Sequence, residues 1–162
     1  MIRKLLFSAT LLFGSLSLNA AIPSVMLKDM DGRSVDTATI SNDGKPIIID
    51  FWATWCKPCV RELSAIKEVY PDWQEETGVK IIAVSIDEAQ NAQKVKPFVN
   101  QKGWEYEVLL DPNSEFKRLM GVSDPPHVFV VDGNGNIVWN HQGYVEGSEE
   151  EIYEAVLKAM EE

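Results

Sequence analysis

The two cysteines of this 162-residue chain lie three positions apart, in the segment Cys56-Lys57-Pro58-Cys59. They follow an apolar run at residues 46–52 and precede a segment with helical spacing of apolar residues. With no third cysteine in the chain, each is the other's only intramolecular redox partner. A cysteine at such a strand-to-helix junction meets unpaired N–H groups and the positive end of the helix dipole, which stabilise a thiolate. The pair therefore indicates thiol–disulfide chemistry.

The alternative for this cysteine pair is half of a zinc site. Zinc requires four ligands, and only His127 and His141 remain as good candidates. Their spacing matches no usual zinc pattern. We expect no metal and no organic cofactor, because the cysteine pair itself carries two electrons.

The first twenty residues have the composition of a targeting segment. A basic start with Arg3 and Lys4 is followed by an apolar stretch over residues 5–18, and Ala20 offers a small residue for cleavage. We predict a signal peptide at residues 1–20 and one domain at residues 21–162, in a periplasmic or secreted protein. The alternative is a retained membrane anchor, for which the apolar run is short.

The net charge is −10, and it becomes −12 without the leader, which carries Arg3 and Lys4 but no acid. No basic run is present, so we expect no nucleic-acid partner. The acidity fits a solvated surface.

Alternating strand and helix patterns predict a single α/β domain. The run at residues 47–52 is apolar on both faces, which is typical of a central strand covered by helices. We expect the helix after Cys59 to be bent or broken at Pro71 and to end at Gly78. The other predicted elements are a hairpin of 25–27 with 33–35, strands at 79–86 and 105–110, a helix around 92–99, a helix at 114–120 capped by Ser114, a hairpin of 127–131 with 137–139, and a helix at 148–160 with Ser148 and Glu151 as a capping box.

The chain resembles the thioredoxin superfamily, and within it the exported, membrane-partnered branch of TlpA- and ResA-type proteins. The resemblance lies in Phe-Trp-Ala-Thr-Trp-Cys-Lys-Pro-Cys at 51–59, Val-Ser-Ile-Asp at 84–87, and Gly-Val at 121–122 followed by Pro126 and Phe-Val-Val-Asp at 129–132. It covers roughly residues 24 to 160. It implies a thioredoxin fold: a central mixed sheet flanked by helices, an N-terminal hairpin and a helix–strand insertion between Glu88 and Leu110.

Four residues are the candidate catalytic groups. Cys56 is the nucleophile that attacks a substrate disulfide, and Cys59 then attacks the Cys56 sulfur and releases the reduced substrate. Asp50 matches the buried acid of thioredoxins, and many TlpA- and ResA-like proteins have a non-ionisable residue there. We interpret it as a proton relay toward Cys59, the alternative being a structural acid at a strand end. For Glu62, the resemblance implies a role near the cysteines, and an ordinary exposed helix glutamate is an equal alternative.

Four further residues are candidates for substrate binding. Pro126 matches the cis-proline whose loop docks the substrate backbone in the family, with Pro125 as the alternative cis residue. Pro125 also lacks the N–H that commonly pairs with the substrate at that position, so docking is expected to be altered. His127 is a titratable group near the thiolate if its ring faces the cysteines, and otherwise a solvent-facing residue at a strand start. Trp55 is expected at the rim of the site, and Trp52 in the core.

The resulting hypothesis is an exported dithiol–disulfide oxidoreductase, most simply a monomeric reductant. The resemblance implies electrons from a membrane thiol transporter and substrates that include cytochrome c precursors and other thioredoxin-fold proteins. The alternatives are a disulfide oxidase or isomerase, a redox-inert binding module and a peroxidase. For the peroxidase, the expected proline- and threonine-containing cysteine loop is not found.

Overall fold

A computed structural model describes residues 20–161, and its centre is a mixed β-sheet with helices on both faces. The strands are β1 (Ala20–Ala21), β2 (Met26–Asp29), β3 (Ser34–Asp36), β4 (Ile47–Trp52), β5 (Lys80–Ser85), β6 (Glu107–Leu110), β7 (His127–Val131) and β8 (Asn136–Gln142). The helices are α1 (Lys57–Thr77), α2 (Ala89–Ala92), α3 (Val95–Lys102), α4 (Glu115–Leu119) and α5 (Glu149–Ala159), with a 3-10 turn at Thr37–Thr39. The predicted α/β class and thioredoxin-type architecture are confirmed.

The order of the strands places β4 at the centre. The sheet runs β1-β8-β7-β4-β5-β6-β2-β3, with β4, β5 and β6 parallel and the remaining neighbours antiparallel. All six residues of β4 are buried, as the apolar pattern predicts for a strand covered on both faces. The predicted hairpins are also present, β2 with β3 and β7 with β8.

The two faces of β4 carry different groups, because side chains alternate along a strand. Phe51 packs against Phe116 of α4 and Phe129 of β7 on one face. Trp52 lies on the other face, with ring centres 5.8 Å from Phe98 of α3 and 5.2 Å from Trp104. Asp50 shares the Trp52 face, so its carboxyl group points away from the Phe51 cluster.

Helix α1 continues through Pro71 as a single helix to Thr77, and Gly78 ends it in the left-handed conformation with φ 69°. A proline inside a helix costs about 3 kcal/mol. The neighbouring side chains Tyr70 and Trp73 are both buried, and burial of a large side chain stabilises by roughly 1.5–3 kcal/mol each. Packing on both sides of Pro71 therefore holds the helix together, and the possibility that the chain breaks there is wrong.

Two predicted helix caps have different donors and acceptors from those expected. Ser114 stands at the start of α4 with φ 53°, but its side chain makes no cap bond. Asp111 caps that helix instead, because its carboxylate accepts hydrogen bonds from the backbone N–H groups of Glu115 and Lys117, both at 2.8 Å. Ser148 likewise makes no side-chain cap to α5, and its hydroxyl donates to the Val145 carbonyl. The capping box is therefore wrong as a side-chain arrangement.

The predicted leader at residues 1–20 lies outside the described residues except for Ala20. Ala20 pairs with Ile137 in the short edge strand β1. Among the helices of residues 20–161, none combines the length and apolar character needed to cross a bilayer.

Candidate active site

The cysteine pair lies where β4 leads into α1. Cys56 is the N-cap residue of α1, and its backbone N–H donates to the Ala53 carbonyl at 3.0 Å. The sulfur of Cys56 accepts a hydrogen bond from the backbone N–H of Cys59 at 3.3 Å. Cys56 and Cys59 are joined by a disulfide with an S–S distance of 1.99 Å and Cα atoms 5.3 Å apart. A thiolate at this N-cap would accept the same hydrogen bond from the Cys59 N–H, which would stabilise its charge.

The two sulfurs differ in their access to solvent. Cys56 is 5% exposed, whereas Cys59 is completely buried beneath it. A partner approaching from solvent therefore meets Cys56 first. This order is the one predicted for a nucleophile and a resolving cysteine.

Asp87 anchors the loop before the disulfide, a role that the sequence interpretation missed. Its buried carboxylate accepts hydrogen bonds from the backbone N–H of Thr54 at 2.9 Å and from the Thr54 hydroxyl at 2.6 Å. It also accepts one from the Ser85 hydroxyl at 2.9 Å. An acid two residues after the buried strand β5 was the signal available, because a buried carboxylate needs donors and the β4–α1 turn lies at the same sheet edge.

Behind Cys59, Asp50 and Glu62 form a buried pair of carboxyl groups, called here the carboxyl pair. Both residues are 0% exposed. None of their four oxygens accepts a hydrogen bond from an N–H or O–H group of residues 20–161. The two carboxyl groups lie close enough for each to affect the pKa of the other. The exposed-glutamate alternative for Glu62 is therefore wrong, and Asp50 lies within the strand instead of at its end.

Burial raises both pKa values in this pair. The pKa of Asp50 lies well above its ordinary value, first because burial penalises the charged form and then because Glu62 is close. Burial raises the pKa of Glu62 to about 8, with a smaller contribution from the charge of Glu149. The neighbouring Asp50 carboxyl group acts in the opposite direction and lowers the pKa of Glu62. At neutral pH the carboxyl pair therefore holds at least one proton.

Tyr106 lies near Asp50 in the carboxyl pair, and Glu149 of α5 lies near Glu62. Tyr106 is buried near Asp50, and its hydroxyl donates to the Leu63 carbonyl at 2.7 Å, so it is not available to Asp50. Burial, with a smaller effect of Asp50, raises the pKa of Tyr106. On the side of Glu62, Glu149 lies at the start of α5, with one of its carboxyl oxygens 3.5 Å from the Tyr144 hydroxyl. No group of three or more His, Cys, Asp or Glu side chains within residues 20–161 is arranged to hold a metal ion.

The Pro125–Pro126 peptide bond is cis, which confirms Pro126 as the cis-proline and excludes Pro125. The Pro126 carbonyl accepts a hydrogen bond from the Gly143 N–H at 2.8 Å. Trp55 is 60% exposed beside Cys56, and Trp52 is fully buried in the core, as predicted for each. The substrate-binding roles of Trp55, Pro125 and Pro126 stay predictions.

His127 is held by packing on the α4 face of the sheet. It pairs with Phe51 across β7 and β4, so its ring shares the Phe51 face and lies opposite the carboxyl pair. The ring stacks on Phe129 with centres 4.5 Å apart, and Nε2 lies 3.1 Å from the amide oxygen of Asn140. His127 is only 8% exposed, so the solvent-facing alternative is wrong. This position of the ring offers no support for the proposed influence of His127 on the cysteines.

Comparisons with known proteins agree with this fold and site. The family model described as the AhpC/TSA family matches residues 18–140. The thiol-disulfide oxidoreductase ResA of Bacillus anthracis is 36% identical over 116 residues, which cover 72% of this chain. The chain spans 64% of the length of that curated relative.

Solved structures give the same result. An uncharacterized thioredoxin-like protein from Porphyromonas gingivalis is 61% identical with a TM-score of 0.78, over 86% of this chain and 92% of that one. A putative thiol:disulfide interchange protein DsbE from Chlorobium tepidum is 27% identical with a TM-score of 0.76, over 90% of this chain and 99% of that one. This chain therefore belongs to the AhpC/TSA family of thioredoxin-like proteins, in agreement with its resemblance to ResA-type thiol–disulfide oxidoreductases.

Proposed function

We propose that this chain is a thiol–disulfide oxidoreductase that reduces disulfides in other proteins. The observation that carries the proposal is the Cys56–Cys59 disulfide at the start of α1, in which Cys56 is 5% exposed and Cys59 is completely buried. The similarity to proteins named ResA and DsbE supports the same activity.

The reaction transfers two electrons in two exchanges. The Cys56 thiolate attacks one sulfur of the substrate disulfide, the substrate S–S bond breaks, and the leaving thiolate takes up a proton. Cys59 then loses its proton and attacks the Cys56 sulfur. The mixed disulfide breaks, the second substrate sulfur leaves and is protonated, and the Cys56–Cys59 bond forms. The substrate is reduced and the cysteine pair is oxidised.

The carboxyl pair supplies the base for the second exchange. Glu62 lies three residues after Cys59 on α1, so both face the same side of the helix, and Asp50 of β4 lies close to Glu62. Once one of these groups is ionised, it accepts the Cys59 proton inside the protein, where water has no access. Because the pKa of Glu62 is raised to about 8, the base form increases as the pH rises toward that value.

The cellular setting is part of the proposal. The N-terminal segment with its basic start and apolar run supports export to the periplasm or secretion. We expect a membrane thiol transporter as electron donor and disulfide-bearing proteins, cytochrome c precursors among them, as electron acceptors.

The first test is the reduction potential of the Cys56–Cys59 pair in the protein without its leader. A reductant is expected below about −250 mV, close to thioredoxin. A value above roughly −180 mV would assign the protein to the oxidase or isomerase class instead.

The second test separates catalysis from simple binding. Cys59→Ala is expected to accumulate mixed disulfides through Cys56 with a model disulfide protein, detected by non-reducing electrophoresis and mass spectrometry. Cys56→Ala is the matched control, because it keeps one cysteine but removes the accessible one. Equal trapping by both variants, or none by either, would contradict the proposed roles.

A further inference from the structure

A groove lies beside the disulfide between α1 and α3, with a volume of about 610 Å³. Val60 and Phe98 provide apolar surface, and both are half-buried. Three positively charged side chains stand on the exposed parts of its wall. The lining residues of this groove, called here the cationic groove, are Thr54, Lys57, Val60, Arg61, Phe98 and Lys102.

The three cations of the cationic groove have no acidic partners in the described part of the chain. The ion pairs within residues 20–161 involve Arg33, Lys80 and Lys96, and none includes Lys57, Arg61 or Lys102.

Aromatic rings hold two of these side chains in place without neutralising them. The Lys102 ammonium lies 5.6 Å from the centre of the Phe98 ring. The Arg61 guanidinium carbon lies 6.0 Å from the centre of the Tyr144 ring. A cation near an aromatic face is attracted to it and keeps its charge for a further partner.

The position of the cationic groove ties it to the disulfide. Lys57 directly follows Cys56, and Arg61 lies one helical turn further along the same face of α1. Thr54, on the other side of Cys56, is held by Asp87. A polypeptide whose disulfide reaches Cys56 therefore has its flanking residues within range of the groove.

We propose that the cationic groove binds an acidic segment that flanks the disulfide of the substrate protein. Carboxylates of the segment pair with Lys57, Arg61 and Lys102, and an apolar side chain covers Val60 and Phe98. The charge complementarity selects this occupant over a basic or neutral segment. The inference rests on the proposed function, because it specifies which disulfide proteins are reduced fastest.

The test compares two synthetic peptides that share one intramolecular disulfide. One carries Asp at the flanking positions and the other carries Asn, which has the same shape without the charge. The rate constant for their reduction by the reduced protein is expected to be about five- to tenfold higher for the Asp peptide at low salt. This preference is expected to fall toward unity at about 0.5 M salt, because exposed charges are screened.

Charge-reversal variants locate the effect. Arg61→Glu and Lys102→Glu are tested separately, so that poor folding of one does not remove the test, and Lys57 is left unchanged because it lies between the cysteines. Each is expected to abolish most of the preference for the Asp peptide. Lys158→Glu is the control, because it changes the net charge by the same amount. Lys158 lies near the C-terminal end of α5, beside Ala159 and Met160, which line a different cavity with Thr77.

Each outcome decides a different point. Equal rates for both peptides, or a preference that Lys158→Glu reduces as much as the groove variants do, overturn the cationic groove and leave the proposed function standing. Failure of the reduced protein to reduce either peptide overturns both.

Discussion

Replacing Glu62 with Gln removes one member of the carboxyl pair and keeps the shape of the side chain. In the wild type, the pKa of Glu62 is raised from its ordinary 4.5 to about 8, so the folded protein keeps a proton that the unfolded chain has lost between these values. The free energy of unfolding therefore falls as the pH rises through this window, and it is highest below pH 4.5.

The size of this effect follows from the same values. The rise of the Glu62 pKa from 4.5 to about 8, at about 1.4 kcal/mol per pH unit, corresponds to a loss of about 5 kcal/mol of folding stability. This is an upper bound, since relaxation of the site and sharing of the proton with Asp50 reduce it. Compared with a total stability of about 5–15 kcal/mol, the effect is large.

The assay is urea unfolding of the oxidised protein from pH 5 to pH 8.5, followed by the fluorescence of its five tryptophans. We expect the wild type to lose stability steadily toward pH 8. Glu62→Gln is expected to show a shallower slope and to exceed the wild type by about 2–5 kcal/mol at pH 8. The pH dependence of unfolding free energy that remains in this variant is expected to come from Asp50. The double variant with Asp50→Asn should remove it.

Glu75→Gln provides the matched control, because Glu75 is an exposed glutamate on the same helix. Its slope should equal that of the wild type. A wild-type free energy of unfolding that stays constant or rises between pH 5 and pH 8 would refute the reasoning. So would a Glu62→Gln variant whose slope equals that of the wild type.

Three substitutions test how the fold supports the site, each by chemical denaturation. Asp87→Ala removes an acceptor of three hydrogen bonds beside the disulfide and should cost about 2–4 kcal/mol; a change below 0.5 kcal/mol, of the order of a neutral surface substitution, would contradict this. Gly133→Ala places a Cβ on the backbone carbonyl of Gly44 and should cost about 2 kcal/mol or more, whereas Gly135→Ala meets no atom and carries only the strain of its φ of 86°, about 1 kcal/mol. Equal losses for the two glycines would show that the contact is not tight. Phe116→Ala removes the fully buried ring of α4 that packs on Phe51 and should cost about 3–5 kcal/mol, and a loss under 1 kcal/mol would contradict its burial.

Several features that depend on neighbouring residues were predicted correctly from the sequence, although the side-chain caps at Ser114 and Ser148 were not. The central strand at residues 47–52, the cysteine at the start of the next helix and the glycine that ends that helix are local patterns. The cis bond at Pro126 was predicted by resemblance and confirmed. In each case the information lies within a few residues of the feature, since hydrophobic periodicity and cap geometry are local.

Features that depend on distant residues were missed or left open. The sequence left Glu62 as either an exposed residue or a site residue, because α1 had to be packed on β4 before the carboxyl group of Asp50 could meet it. Asp87 was not recognised as an anchor for the same reason, since Thr54 precedes it by 33 positions. The continuity of α1 through Pro71 also depends on tertiary packing. The free energy gained by burying the neighbouring side chains outweighs the cost of about 3 kcal/mol for a proline inside a helix.

The cysteine pair and its helix start were therefore determined by the sequence alone, because two residues three apart remain neighbours in any helix that begins between them. Which charged side chains lie around the cysteine pair was decided only by the tertiary structure. Asp50 and Glu62 come together in the core, and Lys57 and Lys102, 45 positions apart, line the same groove. Charges act through space, and the distances between them are set by how the helices pack on the sheet.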